Sequence, residues 1–209
     1  MTHLPSFPND TIAAAASNVR RLSFALKSNS VQEFPAVAKV QAHYDVLRAG
    51  RIAPARAEID PRPLAEALDV MFVAEVVAPG VARMRLCGQH LNELLGMEPR
   101  GMPLSVFFAP EARDDVAKAL AQVANGARAS LPLRAEKGLG RPGLDGMLVL
   151  LPLTDHTGAI TRILGVLETC GQIGRAPRKF KLRASAEMKP VPPRATGKPV
   201  LQLILGGRS

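Results

Sequence analysis

The stretch VMFVAEVVAPGVARMRLC, residues 70–87, decides the fold. Two runs rich in β-branched residues, Val70–Val77 and Val81–Cys87, flank Ala78-Pro79-Gly80, a tight connection that turns one strand back onto the next. In the second run Arg83, Arg85 and Cys87 alternate with Ala82, Met84 and Leu86, which predicts one wet face and one buried face. In the first run Glu75 marks the outer face, so Phe72, Ala74 and Val76 are expected to point inward. That outer face also carries Met71, Val73 and Val77, which is too apolar to leave in water.

Downstream, Gln89–Leu95 reads as a short helix stopped by Gly96, and Gly101–Phe108 as an apolar connection. Pro110 opens a helix to Asn125 with Val116, Leu120 and Val123 facing inward. Three more strands follow, at Ala129–Ala135, Met147–Leu153 and Ile160–Thr169; the last two flank the turn Thr154-Asp155-His156-Thr157-Gly158. The glycine-rich stretch 138–146 lacks the GxGxxG spacing and precedes no helix, so it is expected to be a mobile loop and not a phosphate cradle. Upstream, a helix is expected over Ala36–Ala49, with Val37, Val40, Tyr44 and Leu47 on one face and Gly50 as its stop. A shorter helix over Pro61–Leu68 has Asp60 as its N-cap. Two adjacent strands, a helical excursion and three meandering strands describe an α+β domain: a five-stranded antiparallel sheet with helices on one face.

Three segments resemble the PAS family. RLCGQHLNELLGMEPRGMPLSVFF is similar to the place where the second PAS strand passes into a small helix (Gln89–Leu95), a glycine (Gly96) and G-x-x-L (Gly101, Leu104). LVLLPLTDHTGAITRILGVLET resembles the closing PAS hairpin. HYDVLRAGRIAPARAEIDPRPL, through Tyr44, Leu47, Arg48, Gly50, Arg51, Pro54, Arg56, Ile59, Asp60 and Pro61, resembles the leading segment of small bacterial proteins built around a single PAS domain. The resemblance spans residues 40–170 and implies strand order 2-1-5-4-3. It implies a sensory or regulatory module working by association, whose ligands, where present, sit between the sheet and its helices. The blue-light flavin class carries Cys in an Asn-Cys-Arg-type motif, and nothing like it occurs in Gln89–Phe108; the haem class commonly has a histidine on the long helix, and Glu111–Asn125 has none. Flavin and haem are therefore disfavoured and the cofactor, if any, stays unnamed. The walls of a metabolite pocket would be Phe72, Met84, Leu91, Leu95, Phe107, Leu120 and Ile163. The association surface would comprise Val40, Tyr44, Leu47, Met71, Val73, Val77, Leu164 and Val166. Either the Val37/Val40/Tyr44/Leu47 helix or a second copy of the chain covers the outer face, and a homodimer with a further protein partner in a signalling pathway is expected.

Charge is unevenly placed. Residues 171–209 hold nine Lys/Arg against the single acid Glu187, whereas the preceding residues hold 18 basic and 17 acidic groups. The net charge of +9 is thus a property of a basic, Pro-rich tail, and the body is nearly neutral. That confines any nucleic-acid or anionic-membrane contact to the tail. There RKFKLR (178–183) reads as an edge-seeking strand or an anionic-surface contact, and VLQLIL (200–205) as a segment that docks on a sheet edge. Residues 1–35 read as a mobile leader with one helix, Thr11–Lys27, whose apolar positions Ile12, Ala15, Val19, Leu22 and Leu26 form a stripe of two heptads. Such a helix either lies on its own domain or dimerises; two heptads are short for a coiled coil.

Chemistry-bearing motifs are sparse. Cys87 and Cys170 have no CxxC and no histidine at ligand spacing, so no zinc site is expected. The implied strand order separates them by one strand, about 9.6 Å, which is beyond bridging distance, so two free thiols are expected. Asp114 and Asp115 are neighbours at a helix start, GxSxG and HExxH do not occur, and no catalysis is expected. His90 lies at the edge of the implied cavity; His3, His43 and His156 fall at solvated positions. With no long apolar run and no basic-then-apolar leader, the expected compartment is the cytoplasm.

Overall fold

β1 (Met71–Ala78) and β2 (Val81–Cys87) form the expected hairpin. On its other side β1 pairs antiparallel with β5 (Ile160–Cys170), Met71 opposite Val166 through to Glu75 opposite Arg162. β4 (Leu144–Thr154) and β3 (Arg128–Ala135) complete the order 2-1-5-4-3. β4 begins at Leu144 and not at Met147, because Leu144 and Gly146 go on pairing with Ala135 and Leu133 of β3. The computed structural model describes residues 34–183 and 187–189. The 11–27 stripe and the 200–205 segment lie outside the described residues.

The inner face carries α2 (Gln89–Leu95), 3₁₀ turns at Leu104–Phe107 and Pro110–Ala112, and α3 (Arg113–Ala124). The helix expected from Pro110 thus tightens through its first turn before becoming α-helical. On the outer face α1 (Pro35–Arg48) lays Val37, Val40 and Tyr44 on Val149, Leu151 and Leu153 of β4 and Leu164 and Val166 of β5. Its first turn has no local side-chain cap and no acid. Glu168 of β5 supplies both, its carboxylate accepting from the amides of Ala36 (3.3 Å) and Val37 (2.8 Å). At the other end the Tyr44 hydroxyl, fully buried, donates to the Pro152 carbonyl at 2.8 Å, and Asp45 pairs with Arg128 at 2.5 Å. The expected helix over Pro61–Leu68 is a 3₁₀ segment, Arg62–Val70, capped by the Asp60 carboxylate on the Arg62 amide and tied to α1 by Lys39–Glu66.

Two bulges change which side chains face which way. Val73 pairs with Leu86 but Ala74 pairs with Met84, so Arg85 is an extra residue and the alternation of β2 reverses beyond it. Leu86, expected inward with Met84, lies instead on the outer side opposite Val73 and is 53% exposed, while Cys87 packs against the inner core. Likewise Val77 is the extra residue between the pairs Val76–Ala82 and Ala78–Val81. It does not join the outer face, as expected, but lines a cleft with Ala121 and Ala124 of α3.

Past residue 170 the chain recrosses the domain. Arg178, 1% exposed, donates to the carbonyls of Ile173 and Pro142 (2.6 Å), and its own amide donates to the Leu94 carbonyl at the end of α2. β6 (Phe180–Leu182) then adds to β3, with Phe180 fully buried in the inner core. β7 (Glu187–Lys189) follows on the same edge. The 178–183 stretch is therefore an edge strand, the first of its two readings. Its cations are engaged: Lys181 with Glu111 (3.0 Å) and Glu136 (3.6 Å), Arg183 with Asp145 (3.1 Å).

Burial pushes the Tyr44 phenol above the usual tyrosine range, against the opposing pull of Arg128 and Arg48. A raised folded value means that stability from the neutral phenol is fully present below about pH 10 and is lost as pH rises beyond it. Tyr44→Phe should cost about 1–3 kcal/mol at neutral pH, since the Pro152 carbonyl loses its donor. In urea denaturation the gap between wild type and variant should narrow above about pH 10; a gap independent of pH would contradict this account.

Candidate functional site

The inner space, where the family resemblance would seat a ligand, is built from the seven residues named for it. Phe72, Met84, Leu91, Leu95, Phe107, Leu120 and Ile163 come together in one cluster, none more than 5% exposed. Phe108, Leu104 and Phe180 join them. The centre is filled by Phe72, whose ring lies on the backbone of Gly165: a Cβ built there would stand 1.9 Å from the ring. A planar ring system seated at this point would have to displace Phe72 from the sheet.

Of the polar groups at its margin, His90 Nε2 lies 2.9 Å from Thr169 Oγ1, and burial lowers its pKa. It is a half-buried histidine with a hydroxyl partner. Cys87, half-buried, has its thiol pushed up to about 11 by burial, which suppresses the nucleophilic thiolate. Cys170 is exposed, and β1 lies between the strands that carry the two free thiols. Among the described residues no three His, Cys, Asp or Glu side chains are placed to hold a metal ion, and no helix is long and apolar enough to cross a membrane.

The described residues cover only half of the outer face. Val40, Tyr44, Met71, Leu164 and Val166 are buried in the cluster under α1, with Val73 partly buried against it and Leu47 half-buried near the helix end. Over β1 and β2 none of the elements formed by the described residues lies on the sheet. A groove of about 510 Å³ opens there, with Met71, Val73, Leu86 and Leu164 along its floor and Ile59, Pro61 and Leu68 in its wall. Leu68 is 42% exposed. Arg56 stands at one end beside Leu153, and Asp69 and Gln89 at the other. Sequence reading missed this groove because it placed Leu86 indoors; an extra residue in a strand leaves no mark in the alternation.

The PAS domain family matches residues 32–168 of the chain, well over half of it, and the chain belongs to that family. No curated protein matches. Solved structures that resemble it include the light state of the blue-light photoreceptor Aureochrome1 LOV, with 16% identity over 53% of this chain and 88% of that one and a TM-score of 0.39. An RNA-binding light-oxygen-voltage receptor shares 19% identity over 55% of this chain and 35% of that one, with a TM-score of 0.40. At these identities and scores the assignment rests on the family match and not on these neighbours.

Gly165→Ala should destabilise the domain by about 3 kcal/mol or more, because the new methyl and the Phe72 ring need the same space. Adding Phe72→Leu should restore part of the loss in thermal or chemical unfolding. Equal stability of the single variant and wild type would show that the ring does not sit on the glycine.

Proposed function

We propose that the chain is a non-catalytic PAS module of sensory or regulatory type that acts by protein–protein association, through the half of its outer face that the described residues leave open. The observation that carries this reading is the groove over β1 and β2, where Leu86 is 53% exposed beside a floor of Met71, Val73 and Leu164. An apolar strip of this kind on a sheet face is a contact surface. A second copy of the chain is the simplest partner, because two such grooves facing each other across a two-fold axis are self-complementary. The filled inner face favours association over ligand sensing: Phe72 occupies the middle of the space that a flavin or metabolite would need. Contact with an anionic surface through the tail draws less support, since Arg178 is buried and Lys181 and Arg183 already have carboxylate partners.

In sedimentation velocity the full chain should show a concentration-dependent dimer, and Leu86→Lys should shift it to monomer. Leu86 is exposed, so the lysine should leave the unfolding midpoint nearly unchanged. A chain that stays monomeric throughout, or a dimer indifferent to Leu86→Lys, would sink the reading. Flavin absorption in the purified chain would count against the filled interior.

A further inference from the structure

We infer that the turn at residues 138–141 and the crossing segment at residues 173–176 form a platform for an anionic lipid surface. Leu139 enters the apolar layer there, and Lys137, Arg141 and Arg175 meet the headgroups.

The platform is built and braced. The amides of Gly138 and Arg141 donate to each other's carbonyls at 2.8 and 3.0 Å, which puts Leu139 and Gly140 at the tip, Gly140 with a φ of +66°. The Gly140 carbonyl accepts the Arg175 amide at 2.8 Å, and Arg141 Nε donates to the Arg175 carbonyl at 3.2 Å. Gly174 lies so close that a Cβ there would stand 2.5 Å from Pro142 and 2.7 Å from the Gly140 carbonyl. Beneath them the buried Arg178 guanidinium ties the two segments together through the carbonyls of Pro142 and Ile173.

On this fastened turn Leu139 is nevertheless 94% exposed. A side chain held out by backbone that is already ordered enters an apolar layer without the entropic cost of fixing a loop. A second apolar side chain stands beside the crossing segment. Met97, 56% exposed, follows Gly96, where a Cβ would stand 2.9 Å from the Ala176 methyl.

Charge selects the occupant. Among the described residues no carboxylate lies within ion-pair distance of Lys137, Arg141, Arg175 or Arg178, and the adjoining Glu136 is engaged by Lys181. Burial and the like charge of Arg141 both disfavour the Arg178 cation, so an anion over the platform relieves a strain that main-chain carbonyls offset only in part. Cations around an exposed leucine suit an interface where apolar burial and attraction to anionic lipid add together. A nucleic acid would match the cations but not the leucine, and the described phenylalanines and tyrosine, on which bases could stack, are buried. The three headgroup cations are not those of the 178–183 stretch, and no platform residue lines the groove over β1 and β2.

The test mixes the full chain with vesicles of phosphatidylcholine containing about a third phosphatidylserine. The chain should sediment with them, stay in solution with phosphatidylcholine alone, and bind less as salt is raised. Leu139→Asp should lower the partition coefficient at least about tenfold while leaving the unfolding midpoint as it is. Arg141→Glu with Arg175→Glu should lower it at least about tenfold as well. The chain has no tryptophan, so Leu139→Trp supplies a lone indole whose emission should shift to the blue with the anionic vesicles and not with the neutral ones. Absence of binding, equal binding to neutral vesicles, binding indifferent to Leu139→Asp, or an unmoved emission would each overturn the inference. Binding of a single-stranded RNA in place of the vesicles would overturn it too, assigning the cations to a phosphate chain. The dimer and its response to Leu86→Lys should be the same with and without these variants, so this inference and the association reading can fail separately.

Discussion

The ring of Phe72 resting on the bare backbone of Gly165 fixes how β1 and β5 lie together, and that pairing organises the rest of the molecule. With β1 drawn to the middle of the sheet, its hairpin partner β2 is pushed to one side and β4 and β3 to the other. The buried apolar residues of the two strands thereby divide between two clusters, Phe72, Ala74, Ile163 and Leu167 on the inner side and Met71, Leu164 and Val166 on the outer. Inside, aliphatic and phenylalanine side chains close on one another. Outside, Glu168 and Tyr44 hold the two ends of one helix, a charged cap at its start and a buried hydroxyl near its finish. Both contacts link residues more than a hundred positions apart, so α1 belongs to the sheet as firmly as the strands do.

Much of this was legible in the residues. Alternation around Glu75, the Ala78-Pro79-Gly80 turn and the Thr154–Gly158 turn placed the strands, and Val37, Val40 and Tyr44 gave the buried stripe of α1. What escaped depended on partners distant in sequence or on a single inserted residue. A glutamate in the fifth strand does not look like a helix cap, since the helix it caps lies far upstream. Arg85 and Val77 look like ordinary members of their strands, yet each is a bulge, and between them they turn Leu86 out and Val77 away from the outer face. Phe180 sits between lysines in a basic stretch that reads equally as an edge strand or an anionic-surface contact; what decides for the strand is Arg178, whose buried guanidinium ties the segment down with carbonyl acceptors instead of a carboxylate.

The two faces of the sheet therefore differ in kind. The inner one is closed by its own side chains, and its marginal histidine and thiol are made quiet by burial, the one lowered and the other raised away from neutral pH. Among the described residues the outer one is covered over β4 and β5 and left open over β1 and β2.

The margins of the sheet add a constraint of another sort. Along β3 the last described residues of the chain lie down as β6 and β7, and along β2 the Gly101–Pro103 turn takes both hydrogen-bonding groups of Met84. Among the described residues neither rim presents a long open ladder, the template on which strands of separate molecules stack into fibres. Within the described residues the sheet is thus closed to strand-by-strand growth along both of its edges.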